Sequence, residues 1–205
     1  MKIDLTKIPS FWFGGIKPNR AKRITNMFKR TGIEARKLET FIDSDPVLGC
    51  ALSMKNALKV INNIEGPCLV FEDDAETTAH VRTMRIEVPD DADAVYLCLS
   101  KYGVMKDWKT QHRDRMASEK DLSYSRLKNP NYVKLNNMVT LTAVIYITDR
   151  YKKHALREID SVIPTRLHCD VPIALSLKDF NVYALTKPMF YQECPLSKKT
   201  TNFTI

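Results

Sequence analysis

Three adjacent carboxylates, Glu72, Asp73 and Asp74, directly follow the short apolar run CLVF at positions 68–71. Neighbouring acids repel one another, and a hard divalent cation such as Mg²⁺ or Mn²⁺ relieves that repulsion through oxygen ligands. Such a cation can also clamp a diphosphate and, as a Lewis acid, stabilise charge on a departing phosphate. The alternative is a solvated acidic turn, or acids that favour the start of a helix.

A second group of candidates surrounds the first predicted helix. Arg20 and Arg23 follow Asn19 shortly after an apolar segment at 10–13. Arginine suits phosphate because its planar guanidinium donates two parallel hydrogen bonds. We therefore predict that Arg20 and Arg23 contact a diphosphate, with a solvated face as the alternative. Asn19 is first a predicted N-cap and second a candidate contact to the same ligand.

The elements that must position these residues alternate between strand and helix. Apolar strands are predicted at 10–13, 33–39, 68–71 and 91–100, and helices at 19–32 and 49–66, ended by Gly32 and Gly66. This order predicts an α/β fold with a mostly parallel sheet, Rossmann-like and flanked by helices. Ligands of such sheets bind at the carboxyl ends of the strands, where the three acids would lie.

The second half of the chain has a different pattern. A charged stretch at 101–137 shows little periodicity, a strong strand signal follows at 138–148, and helices are predicted at 149–163 and 170–180. A last strand at 181–188 precedes an end that reads as a strand giving way to a mobile polar tail. With no linker, we predict a single domain over 1–205, its donor half at about 1–100 and its acceptor half at about 101–205.

The composition restricts the class of protein. No apolar run approaches the roughly 20 residues of a membrane span, and the N-terminus lacks the apolar core of a signal peptide. Five scattered cysteines form no CxxC pair, and Cys50, Cys68 and Cys98 read as core thiols in a reducing compartment. We therefore expect a cytoplasmic protein. Its net charge of +8 favours a polyanionic partner, or only a basic surface.

The basic stretch at 101–137 (the basic segment) interleaves cations with aromatic rings, as a nucleic-acid groove does. The cations are Lys101, Lys106, Lys109, Arg113, Arg115, Lys120, Arg126, Lys128 and Lys134, and the rings are Tyr102, Trp108, Tyr124 and Tyr132. Two partners therefore stay open: a glycan on aromatic platforms, or DNA.

A family resemblance joins these features. The segment LGCALSMKNALKVI at 48–61, followed by CLVFEDDA at 68–75, resembles the core of glycosyltransferase family 25, with Met54 in place of the usual His. The segments AVIYITDRYKKHAL and HCDVPIALSLKDFNVYALTKPMFYQ are similar to its later strands and helices. The resemblance implies a GT-A fold, a nucleotide-sugar donor, most simply a UDP-sugar, and a metal held by a DxD-like motif.

The resemblance also implies roles for single residues. Glu72 would face the ribose or a metal-bound water, Asp74 would bind the metal, and Asp73 would orient either. Ser53 and Lys55, on the matching helix, would approach the sugar, with a surface position as the alternative for Lys55. The basic segment would then bind the acceptor, either a glycan or a hydroxymethylated base in DNA.

Transfer in this family is understood to invert the sugar, and inversion needs a base for the acceptor hydroxyl. Asp170 matches the family's Val-Asp position and is the candidate base, with an N-cap role as the alternative. His168 is a candidate third metal ligand, because a late histidine has this role in several GT-A enzymes. A histidine in the core or at the surface is the alternative.

Two other functions are weighed against a sugar transferase. Phosphatases of the haloacid dehalogenase type carry a nucleophilic Asp directly after an apolar strand, but Glu72 occupies that place here. A basic nucleic-acid-binding module without catalysis would leave the acids as a solvated turn.

Overall fold

The computed structural model describes residues 1–79 and 81–192, which form one α/β domain. Its helices are α1 Pro18–Thr31, α2 Pro46–Asn62, α3 Asp149–Val162 and α4 Asp170–Ser176. Its strands are β1 Lys2–Asp4, β2 Ser10–Phe13, β3 Ala35–Lys37, β4 Cys68–Glu72, β5 Ala75–Thr77, β6 Arg85–Glu87, β7 Ala94–Tyr96, β8 Gly103–Val104, β9 Ala117–Ser118, β10 Ser123–Arg126, β11 Tyr132–Asn137, β12 Ala143–Tyr146, β13 Val182–Leu185 and β14 Phe190–Gln192. The predicted polar tail lies outside the described residues.

The large sheet has the order β10-β11-β13-β7-β12-β4-β2-β3. Strand β2 runs parallel to β3 and β4, and β7 runs parallel to β13. Strand β12 runs antiparallel to both β4 and β7, and the β10–β11 hairpin adds an antiparallel edge. The central sheet flanked by helices is confirmed, but the expectation of a mostly parallel sheet was wrong. The order of apolar segments in the sequence indicates where strands lie. Whether two strands run parallel or antiparallel depends on how they pair in the folded protein.

Both faces of this sheet are covered. Along β4 the side chains of Cys68 and Val70 join a core formed with α2, α3 and α4, while Leu69 and Phe71 join a core formed with α1. Residues 68–71 are all buried, as expected for a strand with helices on both sides. Strands from both halves of the sequence share this one sheet, and β7 of the first half lies between β13 and β12 of the second half.

Two predicted helix starts are corrected. Helix α1 begins at Pro18, and Asn19 lies within its first turn instead of capping it. Proline suits the first helical position because a backbone N–H at that position would have no partner within the helix. Helix α2 begins at Pro46, and Asp45 is its N-cap, accepting a hydrogen bond from the Val47 N–H at 3.1 Å. It ends at Asn62, before the predicted Gly66.

A buried lysine joins α2, α3 and β4. The Lys152 side chain is 0% exposed, and its Nζ donates to the carbonyl oxygens of Ile64 and Gly66, each at 2.7 Å. It also pairs with Asp149 at 3.3 Å. One cation thus satisfies the carbonyls that connect the end of α2 to β4.

Replacing Lys152 with methionine should lower the free energy of unfolding by about 2–4 kcal/mol, because two buried carbonyls lose their donor. Urea unfolding of the variant measures this loss. Lys153→Met is the matched control, because its neighbouring side chain is exposed. Equal stabilities for the two variants would show that the Lys152 contacts do not stabilise the fold.

Candidate functional site

A cavity of about 600 Å³ opens where β2 and β4 end side by side. Phe13, the last residue of β2, pairs in register with Glu72, the last residue of β4. The chain therefore leaves both strands at the same edge of the sheet, and Gly14 and Asp73 come next to each other. The candidate site lies at the carboxyl ends of these parallel strands, as the sequence predicts.

Asp73 is held by two donors. Its carboxylate accepts from the Gly15 backbone N–H at 2.6 Å and from Arg20 Nη1 at 3.1 Å. Gly14 has a φ of +97°, and a Cβ built there would lie 2.6 Å from the Asp73 Cγ. Glycine is required at position 14 for its conformation and for the close approach of Asp73.

Asp74 is the most buried of the three acids, with 7% of its surface exposed. Its Oδ2 accepts from the Gln192 amide at 3.1 Å and lies 3.6 Å from Arg20 Nη1. Its Oδ1 is buried and has no hydrogen-bond partner among the described residues. Burial raises the pKa of Asp74, although Gln192 and Arg20 oppose the shift. Burial also keeps water from satisfying this oxygen, so the carboxylate is incompletely paired in the described structure.

Glu72 lies beside Asp74 in the lining of the cavity. Burial is the largest cause of its strongly raised pKa, and the charges of Asp74 and Asp170 add to it. The Thr142 hydroxyl donates to Glu72 Oε2 at 3.2 Å and opposes the shift. Because neighbouring carboxylates raise the proton affinity of Glu72, a cation beside it would be attracted as well.

The cavity is also lined by His168, Cys169 and Asp170. Asp170 is the first residue of α4, and Cys169 occupies the N-cap position without a side-chain cap bond. The N-cap alternative for Asp170 is therefore wrong by one position. Burial raises the pKa of Asp170, opposed by His168 and by backbone N–H groups at the helix start.

The cavity does not include every predicted contact. Asn19 and Arg23 are exposed and do not line it. Lys55 pairs with Asp160 at 2.6 Å, between α2 and α3. Ser53 does line the cavity, but its hydroxyl donates to the Gly49 carbonyl and accepts from the Phe41 N–H, each at 2.8 Å. Of the five basic and polar candidates, Arg20 and Ser53 are at the site.

Exposed apolar side chains surround the cavity. Ile16, Phe41, Ile42 and Tyr102 all line it, and Ile42 is 77% exposed. They lie on the loops after β2 and β3 and before β8. Sequence reasoning named Tyr102 only as a ring of the basic segment. It did not assign the other three to the site, because an apolar residue in a loop carries no signal of its own. The same holds for Thr142, whose hydroxyl reads as part of a buried strand.

The basic segment is more ordered than expected. Tyr132 is buried and donates its hydroxyl to the Glu87 carbonyl, while Trp108 and Tyr124 pack against hydrophobic clusters. Arg113 forms an ion pair with Asp45 at 2.6 Å. This contact connects the basic segment to the start of α2. Tyr102 is the ring of this segment that lines the cavity. Tyr132 therefore cannot offer a stacking face, whereas Trp108 and Tyr124 are half-buried and their stacking role stays a prediction.

The side chains of the cavity can supply only part of the ligands of a metal ion. In the described part of the chain, no three His, Cys, Asp or Glu side chains converge to hold a metal ion. Mg²⁺ commonly uses only one or two carboxylates, together with water and substrate phosphates. The unpartnered Asp74 Oδ1 and the neighbouring Glu72 fit that requirement. His168 lines the same cavity without completing a protein-only metal site.

Comparison with known proteins gives distant structural likenesses. No protein-family model matches the chain, and no curated protein is significantly similar in sequence. A197 from STIV is 14% identical, covering 89% of this chain and 83% of its own, with a TM-score of 0.44. The CTP:phosphocholine cytidylyltransferase from Streptococcus pneumoniae is 11% identical, covering 91% and 72%, with a TM-score of 0.44. A glycosyltransferase involved in glycosylation of the major capsid of PBCV-1 is 6% identical, covering 95% and 96%, with a TM-score of 0.39.

None of the helices within residues 1–79 and 81–192 combines the length and apolar character needed to cross a membrane.

A substitution at Gly14 tests the close approach of the loops. Gly14→Ala should cost about 1–3 kcal/mol of backbone strain and should also displace Asp73 from its two donors. Gly66→Ala is a matched control, because Gly66 has a φ of +77° but no atom lies within 4 Å of the place its Cβ would take. Urea unfolding should show a larger loss for Gly14→Ala, and equal losses would mean that Asp73 adapts freely.

Proposed function

We propose that this protein is a metal-dependent glycosyltransferase that moves a sugar from a nucleotide-sugar donor to an acceptor hydroxyl. The observation that carries the proposal is the buried Asp74 with its unpartnered Oδ1, beside Glu72 at the end of β4. A carboxylate left with an unsatisfied oxygen costs free energy unless a ligand completes it. The sequence resemblance to glycosyltransferase family 25 supports the same assignment, because these acids form its DxD-like motif.

The donor diphosphate is assigned to the cavity edge between the loops after β2 and β4. Asp74 and Glu72 would hold Mn²⁺ or Mg²⁺ together with the diphosphate oxygens. When bound, that ion supplies Lewis-acid stabilisation of the departing phosphate. Arg20, placed between Asp73 and Asp74, is within reach of the same edge and donates to a phosphate oxygen.

The acceptor is assigned to the part of the cavity that His168, Cys169 and Asp170 line. Asp170 removes the proton of the acceptor hydroxyl as that oxygen attacks the sugar, which inverts the anomeric centre in a single displacement. Tyr102 at the rim offers an apolar face to a sugar ring. A glycan acceptor is favoured over hydroxymethylated DNA, because Trp108, Tyr124 and Tyr132 are engaged in packing and leave few rings for bases.

Thermal unfolding in the presence of nucleotides tests the donor site. UDP with Mn²⁺ should raise Tm, while UDP or Mn²⁺ alone should raise it much less. At a ligand concentration of 100 Kd the expected stabilisation is about 2.7 kcal/mol. GDP, CDP and ADP with Mn²⁺ identify the base. No shift with any nucleoside diphosphate would contradict the proposal.

Transfer assays then identify the acceptor. Nucleotide-sugars are screened for hydrolysis, and the best donor is incubated with glycans and with hydroxymethylated DNA. We expect transfer to a glycan. Salt-dependent binding of DNA without any nucleotide requirement would instead support the nucleic-acid-binding module.

A further inference from the structure

Two cysteines distant in sequence meet in the wall of the cavity. The Sγ atoms of Cys50 and Cys169 lie 3.9 Å apart, although 119 positions separate the residues. Both residues line the cavity, and both are free thiols. The sequence gives no CxxC spacing that would reveal such a pair. The expectation that Cys50 is merely a core thiol overlooks this contact.

The two sulfurs are carried by different elements of the fold. Cys50 lies on α2, whose neighbouring residues Ala51 and Met54 are buried in the core. Cys169 lies where the connection after α3 meets the short helix α4. That connection includes Arg166, whose φ is +54°. Cys169 is itself buried and belongs to the main core, so closing the pair displaces residues that pack there.

The distance to be closed is small. A disulfide requires an S–S separation of about 2.05 Å, so the sulfurs must approach by a little under about 2 Å. Cys169 stands between His168 and Asp170, and its displacement moves the backbone of both. Asp170 faces the cavity together with Glu72, so a bond to Cys50 would change the geometry of that wall.

Access to oxidants differs among the described cysteines. Cys50 is half-buried and faces the cavity, whereas Cys68 and Cys98 are buried and do not line it. Burial raises the pKa of Cys98 to about 12. Since Cys50 is the half-buried one of the described cysteines and lines the cavity, it is the thiol that a small oxidant in the cavity reaches first.

We propose that Cys50 and Cys169 form a reversible disulfide that serves as an oxidation site in the cavity wall. A peroxide oxidises the Cys50 thiol to a sulfenic acid and is itself reduced to one water. The Cys169 sulfur then attacks the Cys50 sulfur, the S–S bond forms, and the sulfenic oxygen leaves with two protons as a second water. The two thiols lose two electrons in total, and the peroxide accepts them.

Peptide mapping tests bond formation without any assumption about function. The full chain is treated with hydrogen peroxide, or with diamide as a second oxidant, then alkylated and digested without reduction. We expect one linked pair of peptides containing Cys50 and Cys169, a mass loss of about 2 Da for the two hydrogens, and reversal by dithiothreitol. Cys50→Ser and Cys169→Ser should each abolish the link, while Cys68→Ala should retain it.

Two results would overturn the proposal. One is the absence of a Cys50–Cys169 link with both oxidants while Cys50 still reacts with the alkylating reagent. The other is a preferred link from Cys50 to a different cysteine, including Cys194, which lies outside the described residues.

The effect on activity rests on the proposed function and is measured separately. In the wild type, oxidation should reduce sugar transfer on the order of a hundredfold, as expected for a misplaced base, and dithiothreitol should restore it. The ratio of reduced to oxidised activity is compared within each variant, and it should fall close to one in Cys50→Ser. A linked pair without loss of activity would remove the regulatory role. Absence of transfer in both redox states would contradict the proposed function and leave the mapped disulfide standing.

Discussion

Replacing Asp74 with asparagine should stabilise the ligand-free protein and at the same time abolish its response to nucleotide and metal. The carboxylate is buried, its pKa is raised, and its Oδ1 has no partner in the described structure. Asparagine keeps the size of the side chain, and its carbonyl oxygen can still accept from the Gln192 amide. The variant therefore removes a buried negative charge without opening a cavity.

The pH dependence of this effect has a definite sign. A carboxyl with a higher pKa in the folded protein holds its proton more tightly there than in the unfolded chain. Its contribution to stability is complete below the unfolded value, near the ordinary 3.8, and is lost as pH rises through the folded pKa. The advantage of Asp74→Asn over the wild type should therefore be full above the folded pKa and should shrink as pH falls toward 3.8.

Thermal unfolding measures both parts of the prediction. In a chain of this size, each kcal/mol gained raises Tm by roughly 2–4 °C. The rise produced by UDP with Mn²⁺ in the wild type should be absent, and transfer should fall by at least about a hundredfold, since an interaction that stabilises transition-state charge is lost. Asp160→Asn is the control, because it removes one exposed charge outside the cavity. A variant that is less stable without ligand, yet still responds to nucleotide, would exclude Asp74 from the metal site.

The sequence revealed the acids but not what surrounds them. Glu72, Asp73 and Asp74 were predictable because an apolar strand ending in carboxylates is a local signal. The place of Arg20 between Asp73 and Asp74 depends on how β2 and β4 pair, which no local pattern specifies. The approach of Asp170 to the same cavity involves residues about a hundred positions apart. Such contacts follow from topology, so sequence analysis offered Asp170 only through the family resemblance.

The same reasoning explains the errors in the fold. Strands β4 and β12 were predicted from their apolar runs, but their antiparallel pairing was not, because both directions bury the same side chains. Helix α2 was predicted from its apolar stripe, and its true start at Pro46 depended on a cap, Asp45, that Arg113 also contacts. Arg113 belongs to a segment read as irregular, so that contact was not predictable.

Asp170→Asn should identify the base by its effect on rate as a function of pH. A base acts in its ionised form, and burial raises the pKa of Asp170. In the wild type, kcat should therefore fall as pH decreases through a value above the ordinary 3.8. The asparagine variant should lose about 10²- to 10⁴-fold in kcat and should lack that acidic limb, while KM for the donor changes little.

Two further variants separate a catalytic role of Asp170 from a structural one. Asp170→Glu keeps a carboxylate and should retain both the acidic limb and part of the rate. His168→Gln removes a group that lowers the pKa of Asp170, so the acidic limb should move to higher pH. If His168 instead binds the metal, this variant should weaken the response to Mn²⁺ and leave the position of the limb unchanged. An Asp170→Asn variant that keeps the wild-type pH profile would show that another group accepts the proton, because a side chain with only a structural role cannot set the pH at which the rate falls.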